Sequence, residues 1–176
     1  LPPTPEDIDS FVADEAPDAY ERLIDRLLAS PHYGERWGRH WLDVSRFGES
    51  DGFENDKPRD HAWRYRDYVI QSFNDDTPYD RFVKEQLAGD ALEPITRDGI
   101  IAAGFLVAGP WDEIQNVAKS KTEKLRAHEE QMEEVLAAVG QTFLGMTVHC
   151  ARCHDHKFDP IPQTDYYRLK AVFDGF

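Results

Sequence analysis

The 176-residue sequence is poor in cysteine and methionine, two of each, and has neither a surplus of positive charge nor a long apolar run. Each scarcity excludes something. The longest apolar stretch, Gly99 to Gly109, is too short to span a bilayer, so no transmembrane segment is expected. A formal charge of -14 repels phosphate backbones, and no basic stripe rises above that background, which argues against nucleic acid as a partner. Strict alternation of apolar and polar residues is hard to find, and internal repeats, low-complexity tracts and a domain linker are missing. An initiator Met and a signal peptide are also absent, so residues 1–176 read as a single domain cut from a longer, multidomain protein. What is present is substantial: 40% hydrophobic and 12% aromatic residues suffice for a real core.

Helix-start signals recur at Thr4-Pro5-Glu6-Asp7, Asp75-Asp76-Thr77-Pro78 and Thr164-Asp165. The first opens onto Ile8, Phe11 and Val12, the second onto Tyr79, Phe82, Val83 and Leu87; each set has helical spacing and is expected to bury one face. Tyr20 to Ser30 repeats the pattern. Glu35 to Arg46 is expected to put Trp37, Trp41 and Val44 on one stripe, and Trp63 to Phe73 and Ser120 to about Thr147 read as further helices. Gly48 to Arg59, Gly89 to Arg97 and Phe158 to Gln163 read as non-helical. The fold class is all-α, an irregular multi-helix domain.

Both cysteines fall in Cys150-Ala151-Arg152-Cys153-His154, the C-x-x-C-H pattern of c-type haem attachment. The spacing has a physical reason. Cysteines three apart on a helical turn share one side and reach the two vinyl groups of one porphyrin, while the next residue brings its imidazole under the iron. A zinc site would need four ligands crowded into a few residues, and a thiol-disulfide motif normally opens a helix after a strand. One covalent haem c, on Cys150 and Cys153 with His154 as an axial iron ligand, is therefore the expected cofactor, with the helices wrapped around it. The proline-stopped segment Asp155 to Pro162 could fold back and offer a carbonyl to the other ring nitrogen of His154, or be a plain surface loop.

The second axial position is open. His40, flanked by Trp37 and Trp41, suits the wall of a haem pocket and is the leading candidate as the other iron ligand, with Trp41 as a cofactor contact. His61, His156 and Met132 follow; Met146 is expected in the core, and His32, His128 and His149 are expected to face solvent or packing. A five-coordinate iron is equally compatible with the sequence. Arg36, Arg39, Arg46, Arg64, Arg66 and Arg152 are natural propionate partners, since guanidinium pairs bidentately with carboxylate, although most are expected to be surface or structural pairs. The acidic loop Glu49 to Asp56 does not fit EF-hand spacing and reads as solvated, like the Glu129 to Glu134 helix face.

A long string of segments carries a resemblance. Leu1-Pro2-Pro3-Thr4-Pro5, Leu28 through Trp37, His40-Trp41-Leu42-Asp43, Tyr65 through Ile70, Pro78-Tyr79-Asp80, Glu85 through Asp90 and Cys150 through Gln163 together resemble the planctomycete cytochrome family DUF1549, or PSCyt2. The resemblance implies a c-type haem module of a large exported protein, usually preceded by another cytochrome domain and followed by a DUF1553 region. It also implies, by association only, a link to polysaccharide catabolism and hence carbohydrate as a partner. The family's motif falls on Cys150, Cys153 and His154, and its histidine on His40; Met146 stands where a leucine is expected. The resemblance implies no established reaction. Electron transfer to adjoining domains or a redox partner is the leading expectation, with a haem enzyme of open distal site or a redox, gas or glycan-binding module as alternatives. Covalent attachment places the chain in the periplasm or at the cell surface.

Overall fold

The computed structural model describes residues 2–53 and 55–175; Leu1 of the opening match and Glu54 of the acidic loop lie outside them. Among these residues the regular structure is helical: α1 (Pro5–Val12), α2 (Ala19–Leu28), α3 (His32–Val44), α4 (Trp63–Asn74), α5 (Tyr79–Ala88), α6 (Arg97–Ala102), α7 (Ile114–Val117), α8 (Lys121–Val139) and α9 (Gln163–Phe173). Two 3-10 turns, Ala103–Val107 and Val148–Arg152, and a π-helical turn, Gly140–Leu144, complete it. Extended pairing among the described residues is confined to one bridge between Ser50 and Pro58. None of their helices is long and apolar enough to cross a membrane.

Helix α1 starts at the capping residue expected from the sequence: the Thr4 hydroxyl accepts the Asp7 amide, and the Asp7 carboxylate in return accepts the Thr4 amide. At the third start signal the helix opens two residues earlier than a Thr164 cap would allow, at Gln163, with Pro162 in the cap position and the Gln163 amide taken by the Asp155 carboxylate at 2.8 Å. Helix α6 and the 3-10 turn after it, Arg97 to Val107, were not foreseen as helical. Ala102 and Phe105 in it are fully buried in the core, but its apolar run continues through Ile100 and Val107, which are about half exposed, so no 3.6-residue period marks it.

Helix α3 packs closely on α4, and Gly34 is the reason it can. A β-carbon there would sit 2.3 Å from the Ile70 carbonyl oxygen; instead the Gly34 amide donates to Asn74 Oδ1 at 2.8 Å, and Asn74 Nδ2 donates to the Pro31 carbonyl at 3.0 Å. This contact turns α3 away from the expected stripe. Trp41 points into the core against Phe82, Phe105 and Phe143, whereas Trp37 and Val44 stay about half exposed.

The main core joins α4, α5, the 3-10 turn after α6 and α8 through Tyr65, Val69, Phe82, Phe105, Met132 and Val135. Each such side chain contributes about 1.5 to 3 kcal/mol when fully buried. An adjoining side of α8 presents Leu136 to a second cluster with Val148, Ala151 and Tyr166. Helix α8 is thus the wall between the core and the segment that carries both cysteines. The faces of α1 and α2 are not buried as expected: neither helix contributes a buried residue.

Candidate functional site

After α8 the helix widens into the π-helical turn, a local form frequent near functional sites. It ends at Gly145 with a left-handed φ of 65°, a conformation that favours glycine. The Met146 amide then returns to the Gly140 carbonyl at 3.1 Å. This reversal leaves Met146 well exposed, not in the core as its position suggests.

The next five residues form the 3-10 turn Val148–Arg152. With three residues per turn, positions three apart eclipse one another. Val148 and Ala151 therefore share the inner side, and both are buried in the second cluster. Cys150 and Cys153 share the outer side, where both thiols are free and exposed. The turn is held at its far end by the Arg152 carbonyl, which accepts from Gln163 Nε2 at 2.9 Å and from the Tyr167 hydroxyl at 3.2 Å. The Arg152 guanidinium runs the other way and pairs with Glu133 on α8. Beneath it Tyr166 is fully buried, and burial pushes its phenol above the usual tyrosine range.

His154 is exposed, and its Nδ1 donates to the Asp155 carbonyl at 2.8 Å. A carbonyl can only accept, so the ring proton is on Nδ1 and the Nε2 lone pair is free for an electrophile. The carbonyl partner anticipated from the sequence is present, but the adjacent residue supplies it and the bond needs no folding back of the segment.

His156 has a different setting. Its side chain is only 6% exposed. Nδ1 accepts the Phe158 amide at 3.2 Å and the Asp159 amide at 2.8 Å, and Nε2 faces the Thr147 hydroxyl at 2.9 Å. Its own amide donates to the Ile161 carbonyl at 2.8 Å. Both ring nitrogens are committed, and His156 is the pin that shapes the loop after the motif. Met132 is likewise engaged, buried in the main core.

His40 is exposed on α3, its ring 5.5 Å from that of Trp37, with the Arg36 guanidinium donating to its Nε2. Trp41, expected on its other side, is turned inward, and its indole N–H donates to the Tyr65 hydroxyl at 3.1 Å. Three and four residues beyond His40, Asp43 and Val44 line a cleft of about 490 Å³ whose other walls include Glu133, Ala137 and His149. His40 thus shares a helix face with residues that reach the neighbour of Cys150. His61 stands elsewhere, on a cleft of about 470 Å³ floored by Phe47, Ile101 and Val107.

The sequence offers His149 only as facing solvent or packing and Arg46 only as one of several propionate partners, and sets neither beside the other. The first has a buried Nδ1 and the second a buried Nε, neither with a partner, and Arg46 holds a left-handed φ of 58°. No spacing marks them; proximity of α3 to the motif is a tertiary fact.

The donor set is two thiols on one edge plus one imidazole with a free Nε2, with Leu144, Met146, Phe158 and Tyr167 exposed on the same segments. Among the described residues no group of three or more His, Cys, Asp or Glu side chains gathers as a metal site. Such a set suits a group held by two covalent bonds to carbon and one axial bond to iron, and its apolar surroundings suit a porphyrin face. No curated protein and no solved structure matches this chain. A family model, PSCyt2, described as a protein of unknown function (DUF1549), matches residues 1–176. The chain, matched along its whole length, belongs to the PSCyt2 family.

Proposed function

We propose that this domain is a c-type cytochrome: one haem joined by thioether bonds to Cys150 and Cys153, with His154 as an axial ligand, serving electron transfer. The observation that carries the reading is the 3-10 turn, which sets both thiols on one exposed edge and is followed by an imidazole whose Nδ1 is already tied to the Asp155 carbonyl. The haem, when bound, supplies one-electron chemistry; the residues do the rest. His154 offers Nε2 in a fixed tautomer, and its hydrogen-bonded Nδ1–H makes it a stronger donor. Gln163, Tyr167 and His156 hold the motif and its following loop in shape. Arg152 positions the turn through Glu133, so service to a propionate would require it to share that pair.

His40 is the proposed second ligand, at the cost of its bond from Arg36. A vacant distal position is the second reading, favoured by the burial of Met132 and the full commitment of both His156 nitrogens. Thioether attachment is carried out on the outer side of the cytoplasmic membrane, so we place the domain in the periplasm or at the cell surface, with adjoining domains or a redox protein as electron partners.

Co-expression with a c-type haem maturation system tests this directly. A pyridine haemochrome spectrum of covalent haem c is expected, and Cys150→Ser or Cys153→Ser each removes one thioether while costing the polypeptide less than about 0.5 kcal/mol, as for other exposed substitutions. Low-spin bands indifferent to carbon monoxide, lost in His40→Ala, establish the second ligand; ready carbon monoxide binding by the parent establishes the vacant site. No covalent haem in the parent chain refutes the assignment.

A further inference from the structure

Helices α1 and α2 pose an energetic problem. They have 8 and 10 residues and bury no side chain, yet helices shorter than about 12 residues are marginal in water unless an amphipathic face is covered. That face exists on both. Tyr20, Ile24, Leu27 and Leu28 recur at helical spacing on α2 and are 38 to 64% exposed, and α1 adds Ile8, Phe11 and Val12 at 38 to 76%. The two helices line a hollow that includes Phe11 and Leu23 and are linked by the Arg22–Asp14 and Arg26–Asp7 pairs.

Charge says what kind of surface fits. Residues 1–30 hold eight acidic and two basic side chains, a surplus of six negative charges out of fourteen for the whole chain. Both bases, Arg22 and Arg26, are used internally. Glu6, Asp9, Glu15, Glu21 and Asp25 have no ion-pair partner among the described residues, and they rim the apolar stripes. A second copy of this chain would bring like charge against like, and an anionic lipid surface would do the same. We infer that α1 and α2 form a docking surface for a basic, apolar-faced helical segment of another protein or domain. The occupant lays leucine-like side chains along the two stripes and lysine or arginine against the carboxylate rim, the helix-on-groove mode of recognition. This surface is independent of the haem assignment, since none of its residues belongs to the cysteine motif.

The test uses the full chain and a fluorescent amphipathic peptide of leucine and lysine, with a leucine–glutamate peptide as its acidic twin. The lysine peptide is expected to bind at least tenfold more tightly than the twin, to weaken with added salt, and to slow amide hydrogen exchange in residues 5–28. The double variant Ile24→Ser/Leu28→Ser is expected to lose about tenfold or more in affinity, because the surface the two side chains still expose adds up to about one whole apolar side chain buried on docking. Its amide hydrogen exchange outside this arm should be unchanged, as neither residue is buried. Equal binding of both peptides, protection elsewhere than α1 and α2, or no effect of the double variant overturns the inference. So does self-association, or binding to phosphatidylcholine vesicles, abolished by the same double variant, for then a second copy or a membrane covers the face.

Discussion

Replacing His156 separates a structural histidine from an iron ligand. His156→Ala removes three hydrogen bonds at once: those from the Phe158 and Asp159 amides to Nδ1 and the one between Nε2 and Thr147. At about 1 kcal/mol per bond, the loss is about 3 kcal/mol. His156→Asn behaves differently, because its Oδ1 occupies nearly the place of Nδ1 and can still accept both amides, leaving only the Thr147 bond unmade. Its cost is about 1 kcal/mol. In a domain of this size the midpoint of thermal unfolding falls by about 6 to 12 °C for the alanine variant and about 2 to 4 °C for the asparagine variant. Urea unfolding followed by circular dichroism reads the same order as a shift of midpoint at constant slope. A ligand role predicts the opposite pattern: neither alanine nor asparagine binds iron well, so the two variants would change the visible spectrum alike while stability followed no such order. Equal destabilisation by both, or none by either, refutes the pinning role.

Gly34→Ala places a methyl group 2.3 Å from the Ile70 carbonyl; a backbone neighbour cannot yield cheaply, and overpacking of about 3 kcal/mol offset by about 1 kcal/mol of helix propensity leaves a net loss of about 2 kcal/mol in chemical denaturation. An alanine variant as stable as the parent would show that α3 and α4 do not meet as described. Tyr65, Tyr68 and Tyr166 have phenols held above the usual range of 10.0, in each case chiefly by burial, with the Glu85 carboxylate adding to the effect at Tyr68. The folded chain therefore keeps protons that the unfolded chain releases above that value, and stability falls as the pH rises through it. Ultraviolet titration should show three of the seven tyrosines ionising only with unfolding, and early ionisation of all seven would contradict their burial.

The helical class was legible because α1, α2, α5 and α8 carry 3.6-residue periods and three starts carry capping signals. Arg97 to Val107 was not, since apolar residues occupy its exposed positions, Ile100 and Val107, as well as its buried ones, and leave no period to read. The cysteine motif was visible as a spacing, and the segment that supplies the Asp155 carbonyl was visible as a proline-stopped stretch. The commitment of His156 was not: a buried imidazole accepting two amides looks in sequence like any histidine beside a ligand. The direction of Trp41 was also hidden, because it depends on the close approach that Gly34 allows between two helices, sealed by its bond to Asn74 forty residues on.

The two cysteines stand three residues apart on a turn whose inner side, Val148 and Ala151, is packed without any help from a cofactor. A cross-link between such near neighbours closes almost no loop, and the entropy it removes from the unfolded chain is correspondingly small. In the proposed assignment the thioethers consequently act as a tether and not as a staple. They fix where the haem resides while leaving the stability of the fold to α8, α9 and the core behind them. The order of events in biogenesis follows: the scaffold can form first, and attachment can proceed on an edge that is already shaped and accessible.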